Sequence, residues 1–364
     1  MYLNSISLRN YRNLADLDLS FDNNVNIFIG NNGQGKTNLL EAIYFISLTK
    51  SFKTNKLQEI MNQNHDFFML RASIYKQDYP YNIEINYNDN KKHIMINNNN
   101  ESKFKDVLGL LNAVLFVPED LYLIKGNPSL RRKLLDIELS KIYPKYLISL
   151  SAYYQILKQR NAYLKEDKLD PLVIDSFDDL LVNHGEIIKK YREEFIVELS
   201  NLTLEFYQLI SASKDIISLE YQCTIKDEIG YYECLKKSIQ RDCYLHQTNV
   251  GIHRDDFKFL LNGKDASSFA SQGEQRTIVL AIKLGLVEYI YRHTKEYPIL
   301  LLDDVMSELD EFRQENLIKY LNEKVQTFIT TTSLSRLNES ITNKAQLFNI
   351  DNGTIKEADV NGTI

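Results

Sequence analysis

The stretch "VNIFIGNNGQGKTNLLEAIYFIS", Val25 to Ser47, constrains this chain more than any other. Val25–Ile29 is a short apolar run that predicts a buried strand. The segment after Thr37 places Leu39, Leu40, Ile43 and Ile46 on one helical face. Between them, Gly30, Asn31, Asn32, Gly33, Gln34, Gly35, Lys36 and Thr37 satisfy G-x-x-x-x-G-K-[ST] without exception. Glycines let backbone N–H groups wrap a phosphate, the lysine neutralises the β/γ charge, and the threonine hydroxyl ligates magnesium. Strand, glycine loop and helix in that order define an α/β nucleotide site for ATP and Mg2+.

A partner for that loop lies far downstream. "YPILLLDD" is a near-continuous apolar run ending in acids, the mark of a central parallel strand. Asp303 closes the strand where a carboxylate holds magnesium. Asp304 is the next acid, placed to orient or deprotonate the attacking water as the catalytic residue. So long a separation between Lys36 and Asp303 fits a nucleotide domain opened by an insertion.

The intervening pattern supports that division. "LADLDLSF" alternates strictly, and "FFMLRASIY", "YNIEINY" and "KHIMI" follow as short strands of an antiparallel layer. From about Ser129 to Gln240 the periodicity is helical. Phe177, Leu181, His184, Ile188, Tyr191 and Phe195, then Leu199, Leu202, Phe206 and Leu209, form a heptad seam with one stutter. "LSAYYQILKQRNAYLKE" predicts an antiparallel partner helix, with "DKLDP" as the turn. Strands return with "VQTFITTT" and with "QLFNIDNGTIKEA", whose Asn-Gly pair signals a hairpin. The expected organisation is a split ATP-binding head, residues 1–125 and 245–364, around a helical lobe at 126–244.

Composition excludes several classes. The three cysteines, Cys223, Cys234 and Cys243, have no CxxC spacing, which argues against structural zinc and a disulfide framework. The longest apolar run, "VLGLLNAVLFV", ends at Pro118 and is too short to span a membrane. The N-terminus reads as a strand and not as a signal peptide, so a cytoplasmic location is expected. A net charge of −6 leaves DNA binding to local basic faces.

"SQGEQR", Ser271 to Arg276, opens a long apolar helix. Ser271 and Glu274 have the spacing of a capping box. The same stretch, with Gly273, offers free amides for an anion.

Taken in order, "SLRNYRN", the phosphate loop, "KSFKT", "VPEDLYLIKGNPSLRRKLLD", "GIHRDDF", "SQGEQRT" and "LLLDDVMSELD" resemble the RecF family of bacterial recombination mediators. These are SMC-like ABC-type ATPase heads. The fold implied is an α/β P-loop head of mixed sheet and antiparallel β layer. An inserted helical lobe would carry a short coiled-coil-like arm.

The resemblance also implies roles. Arg12 matches an arginine near the phosphates, and Ser271, Gly273 and Glu274 match a signature that contacts the partner subunit's ATP. Glu119 stands where ABC heads have a glutamine, and Thr331 or Thr332 where many have histidine. The family implies an ATP-dependent homodimer with slow, DNA-stimulated hydrolysis. It binds single-stranded, double-stranded or gapped DNA and loads RecA with mediators such as RecR and RecO, supporting SOS induction. The basic runs Arg131, Arg132, Lys133; Lys189, Lys190, Arg192; and Lys50, Lys53, Lys56 are candidate DNA contacts. An ABC transporter would carry an LSGGQ-like signature, and a zinc-hooked repair ATPase would need CxxC at its arm tip.

Overall fold

The computed structural model describes all residues except 100–101, 226–227, 307–308, 322–323 and 359–364. They fall into two compact units. One comprises Met1–Asp120, Gln208–Ser213 and Lys283–Ile364, the other Leu121–Tyr207 and Lys214–Ile282.

The chain begins with β1 (Tyr2–Arg9), β2 (Leu17–Ser20), β3 (Val25–Ile29) and α1 (Lys36–Leu48). Then come β4 (Phe68–Lys76), β5 (Tyr79–Asn88), β6 (Lys91–Ile96), α2 (Phe104–Val107) and β7 (Ala113–Phe116). Helices α3 (Tyr122–Lys125), α4 (Pro128–Ile142), α5 (Pro144–Tyr163) and α6 (Pro171–Ser211) follow, then β8 (Ile217–Gln222) and α7 (Tyr231–Leu245). Next are β9 (Asp256–Leu261), β10 (Lys264–Asp265), α8 (Ala266–Phe269), α9 (Gln272–Thr294) and β11 (Ile299–Asp303). Last are α10 (Glu311–Leu321), β12 (Thr327–Thr331), α11 (Glu339–Thr342), β13 (Gln346–Asp351) and β14 (Thr354–Ala358).

In the first unit the alternating segments pair as an antiparallel sheet, β2-β1-β4-β5-β6. A second sheet, β14-β13-β3-β12-β11-β7, includes the apolar strands β3, β11 and β7 and is parallel except at the β14 edge. All five residues of β11 and of β12 are buried, as in a central parallel strand covered on both faces. Strand β11 is apolar up to Asp303, whereas β12 buries three threonines beside Phe328 and Ile329. Leu39, Leu40, Ile43 and Ile46 of α1 are fully buried in a core shared with the antiparallel strands. Phe28 stacks on Phe348 at 5.0 Å and on Phe328 at 6.3 Å, tying three adjacent parallel strands together. The register sets Thr331 beside Ile29 and Asp303 beside Thr330. The carboxyl ends of β3, β12 and β11 therefore share one edge, and the loops carrying the motifs leave from it.

Helix α6 runs 41 residues and belongs to the second unit as far as Tyr207. Leu181, Ile188, Phe195, Leu199, Leu202 and Phe206 are buried as the heptad requires. Leu209 is 45% exposed while Ile210 is fully buried, so the buried stripe takes a step of four from Phe206 where the periodicity predicts three. Two buried arginines fix the antiparallel pairing. Arg160 near the end of α5 donates to Asp178 near the start of α6 at 2.7 Å. Arg192, deeper in α6, meets Tyr146 near the start of α5 at 3.0 Å. Strands β8, β9 and β10 form a three-stranded antiparallel sheet that the helical periodicity did not announce, although Phe257, Phe259 and Leu261 alternate into its buried face.

Among the described residues no helix is long and apolar enough to cross a membrane. None of them gathers three His, Cys, Asp or Glu side chains into a metal cluster. The three cysteines are free thiols.

Candidate nucleotide-binding site

The phosphate loop leaves β3 at Gly30 and returns into α1 at Lys36. Gly33 and Gly35 have φ of 82° and 117°, a region open to glycine at little cost. Gly35 is the N-cap of α1, with no side-chain cap and no acid in the first turn. The helix start therefore keeps its amides and its positive dipole end for an anion. Lys36 Nζ lies within the loop, donating to the carbonyls of Gly30 at 2.5 Å and Asn31 at 3.0 Å. Burial pushes its pKa down, and the charges of Asp304 and Asp303 oppose that shift.

Thr37 and Asp303 meet directly: Thr37 Oγ1 donates to Asp303 Oδ1 at 3.1 Å. Burial pushes the Asp303 carboxyl up, hydrogen bonds from Thr330 and Thr37 and the charge of Lys53 pull it down, and Asp304 adds repulsion. A threonine hydroxyl beside a buried carboxylate is an oxygen donor set that suits a hard cation such as Mg2+. A cation there would also relieve the repulsion between Asp303 and Asp304.

Thr330, which the motif reading passed over, links both acids. Its hydroxyl donates to Asp303 Oδ1 at 2.8 Å and accepts from the Asp304 amide at 2.9 Å. The signal was available, since aligning the ends of "LLLDD" and "FITTT" as parallel neighbours sets Thr330 beside Asp303. Asp304 has φ 54°, an unusual backbone for a non-glycine residue, and the amide bond from Thr330 helps hold it. Ser307 and Glu308 of "SELD" lie outside the described residues.

Arg12 faces α1. Its Nε and Nη2 grip both oxygens of the fully buried Glu41 at 2.9 and 2.7 Å, and Nη1 bonds the Glu59 carbonyl. Ser51 caps the same carboxylate. Arg12 thereby ties the "NYRN" turn and the "KSFKT" loop to the phosphate-loop helix. Lys53 Nζ bonds Asn38 Oδ1 at 2.7 Å, and its pKa is lowered by burial against the charges of Glu41 and Asp303. That position sets Lys53 apart from Lys50 and Lys56 and within electrostatic reach of Asp303.

Glu119 is exposed in a 3-10 turn at Pro118–Leu121. Its neighbour Asp120 accepts from the buried Lys283 of α9 at 2.8 Å. Thr331 is fully buried and donates to the Ser333 carbonyl at 3.0 Å, leaving Thr332 as the half-buried member of the pair.

In the second unit the capping box forms. Ser271 N and Oγ both donate to Glu274 Oε2 at 2.7 Å, and Glu274 N returns to Ser271 Oγ at 3.3 Å. Ser271 and Gly273 are exposed, and a Cβ on Gly273 would meet nothing within 4 Å. The helix start is fixed and open to an external group.

The basic runs need correction. Arg131 is buried, grips Asp256 through Nε and Nη2 at 2.7 and 2.8 Å, and donates to the carbonyls of Leu123 and Gly126. Arg132 is half-buried and donates to the Asp255 carbonyl at 2.8 Å, so Lys133 is the exposed member. Arg192 is likewise buried against Asp136, and Lys189 and Lys190 pair with Glu193 and Glu194. A run of basic residues looks the same in sequence whether its charges face solvent or buried acids.

The RecF/RecN/SMC N-terminal domain model matches residues 2–356. The chain is 39% identical to the DNA replication and repair protein RecF of Bacillus cereus (strain AH820) and to that of Bacillus anthracis (strain CDC 684 / NRRL 3495), with 98% of both chains covered in each case. Among solved structures, one of the recombination mediator protein RecF with ATPrS in the RecFOR pathway superposes with a TM-score of 0.89 at 36% identity, again over 98% of both chains. The Smc head bound to the C-winged helix domain of ScpA superposes at 0.60 with 15% identity, covering 98% of this chain and 97% of that one, a likeness of fold.

Proposed function

Since the chain belongs to the RecF family, we propose that it is an ATP-dependent DNA-binding ATPase of replication and recombinational repair. The observation that carries this reading is the contact of Thr37 with Asp303 at 3.1 Å, beside a complete phosphate loop. Gly30–Gly35 and the start of α1 direct amides at the phosphates, and Lys36 neutralises their charge. Thr37 and Asp303 hold magnesium, which when bound offsets the negative charge of the phosphates. Asp304 orients the attacking water and accepts its proton, with its backbone fixed through Thr330.

Ser271, Gly273 and Glu274 serve the nucleotide of a second copy. The capping box and the open face of Gly273 support this, because a rigid, exposed helix start is what a phosphate contact in trans requires. ATP then holds a homodimer together, and slow, DNA-stimulated hydrolysis releases it. Glu119 in place of glutamine and threonines in place of histidine fit slow turnover. The dimer engages gapped, single-stranded or double-stranded DNA and, with mediators of the RecR and RecO kind, loads RecA and supports SOS induction in the cytoplasm.

The deciding experiment measures binding to gapped, single-stranded and duplex DNA with ATP, with ADP and without nucleotide. Binding that strengthens with ATP is expected. Equal affinity in all three nucleotide states refutes the reading.

A further inference from the structure

The outer side of the phosphate loop is held by the last strand pair of the chain. At the turn between β13 and β14, Asn352 and Gly353 have φ of 47° and 76°, as an Asn-Gly hairpin turn requires. Both of their amides are spent on one residue of the loop. Gly353 N–H donates to the Gln34 carbonyl at 3.0 Å, and Asn352 N–H to Gln34 Oε1 at 2.5 Å. The Gly353 carbonyl accepts in turn from Ala15 N at 2.9 Å.

The packing specifies glycine on both sides of the contact. A Cβ on Gly353 would lie 2.0 Å from the Asn13 carbonyl oxygen, and one on Gly30 would lie 2.3 Å from the Ile350 carbonyl oxygen. Asn13 also reaches into the loop, where its Nδ2 donates to the Gly33 carbonyl at 3.2 Å. The phosphate-loop pattern leaves position 34 unspecified, so its polar side chain calls for a separate reason. The hairpin supplies one.

We propose that the β13–β14 turn is a clamp that pre-organises the phosphate loop, with Gln34 and Gly353 as its positioning residues. A glycine-rich loop has many conformations to lose on binding. Fixing its amides beforehand removes that ordering cost from the binding step. The last strand pair, which follows every recognised motif, thereby sets nucleotide affinity. This rests on the assignment of Gly30–Thr37 as the nucleotide site.

The test uses the full chain and ATP with magnesium, by titration calorimetry and steady-state hydrolysis. Gln34→Met keeps the side-chain length and removes the acceptor, and Gly353→Ala forces the turn off Asn13. Each is expected to weaken ATP binding about threefold to tenfold, the net worth of a hydrogen bond or so. The loss should fall on KM rather than kcat, because the clamp serves bound substrate and transition state alike. In wild type, ATP should also slow amide exchange at Asn352 and Gly353, and Gln34→Met should lose the response at Asn352. Where Gly353→Ala fails to fold, Gln34→Met decides. A folded Gln34→Met protein with wild-type affinity and KM overturns the clamp alone. A wild-type protein that binds no ATP overturns the nucleotide assignment and the clamp with it.

Discussion

Thr330 hydrogen-bonds the side chain of Asp303 at 2.8 Å and the backbone amide of Asp304 at 2.9 Å, so one hydroxyl positions both motif acids. Thr330→Val keeps the shape and removes both bonds. Supporting groups of this kind are worth about 10- to 100-fold in metal affinity or activity. The expected result is a fall of that size in kcat together with a higher magnesium requirement, read from ATPase rates across a magnesium titration. Wild-type rates at every magnesium concentration would remove Thr330 from the mechanism.

Lys36 and Asp304 should fail in different ways. Lys36 is buried in the loop, and Lys36→Ala should abolish nucleotide binding by titration calorimetry. Asp304→Asn keeps the shape and loses the charge that receives the proton. It should bind ATP and persist as a dimer in sedimentation with magnesium. Fast hydrolysis by Asp304→Asn contradicts its role.

Ser271 carries two functions that substitution can separate. Losing the capping box by Ser271→Ala should cost the helix about 1 kcal/mol, visible in the unfolding midpoint. Ser271→Arg should in addition block ATP-dependent dimerisation while one chain still binds ATP. Normal dimerisation of Ser271→Arg would leave capping as the whole role of the serine.

The motifs were legible because their signals are local. A phosphate loop is written in eight consecutive residues, and "YPILLLDD" declares a buried strand and its acid end together. The antiparallel layer and the Asn-Gly hairpin follow from period-two alternation and turn chemistry. What stayed hidden depends on pairing across the chain. Thr330 matters because β12 lies beside β11 in a particular register. Gln34 meets Asn352 because β13 pairs with β3, so the hairpin tip reaches the loop leaving β3. Arg12 reads as a turn arginine until Glu41 is found buried opposite it. Strands β8 and β9 do carry a period-two pattern, with Glu220 opposite Lys258 on the exposed face, but each is a short segment of six residues flanked by the helical periodicity of the lobe.

The correction at Arg131 can be checked against its neighbour. Removing one partner of a buried pair costs about 3–5 kcal/mol, so Arg131→Ala should lower the unfolding midpoint sharply. Lys133→Ala should leave stability unchanged. If Lys133 faces phosphates, that variant lowers the salt slope of DNA binding by about one. A stable Arg131→Ala protein with a reduced salt slope would restore Arg131 as a DNA contact.

His253 gives the second unit an acid sensitivity whose sign the hydrogen bonds fix. Its Nε2 lies 3.0 Å from the Thr248 carbonyl, which can only accept, so Nε2 carries the proton. Neutral His253 then accepts through Nδ1 from Tyr153 OH at 2.9 Å, and Tyr153 in turn accepts from Tyr231 OH at 2.7 Å. A Cβ on Gly251 would meet both tyrosine hydroxyls within 2.4 Å, so the glycine of "GIHRDDF" makes room for this chain of bonds. Burial pushes the His253 pKa down to about 4, helped by the nearby charges of Arg254 and Arg132. With a folded value below the unfolded one, the unfolded chain binds more protons between about pH 4 and 6.5, and stability rises with pH across that window. The contribution is therefore fully present above about pH 6.5 and falls by about 2–3 kcal/mol as pH drops towards 4. Urea midpoints measured from pH 7.5 down to 4.5 should decline less steeply in His253→Gln than in wild type. Parallel curves for the two proteins would show that His253 titrates in the fold as it does in the open chain.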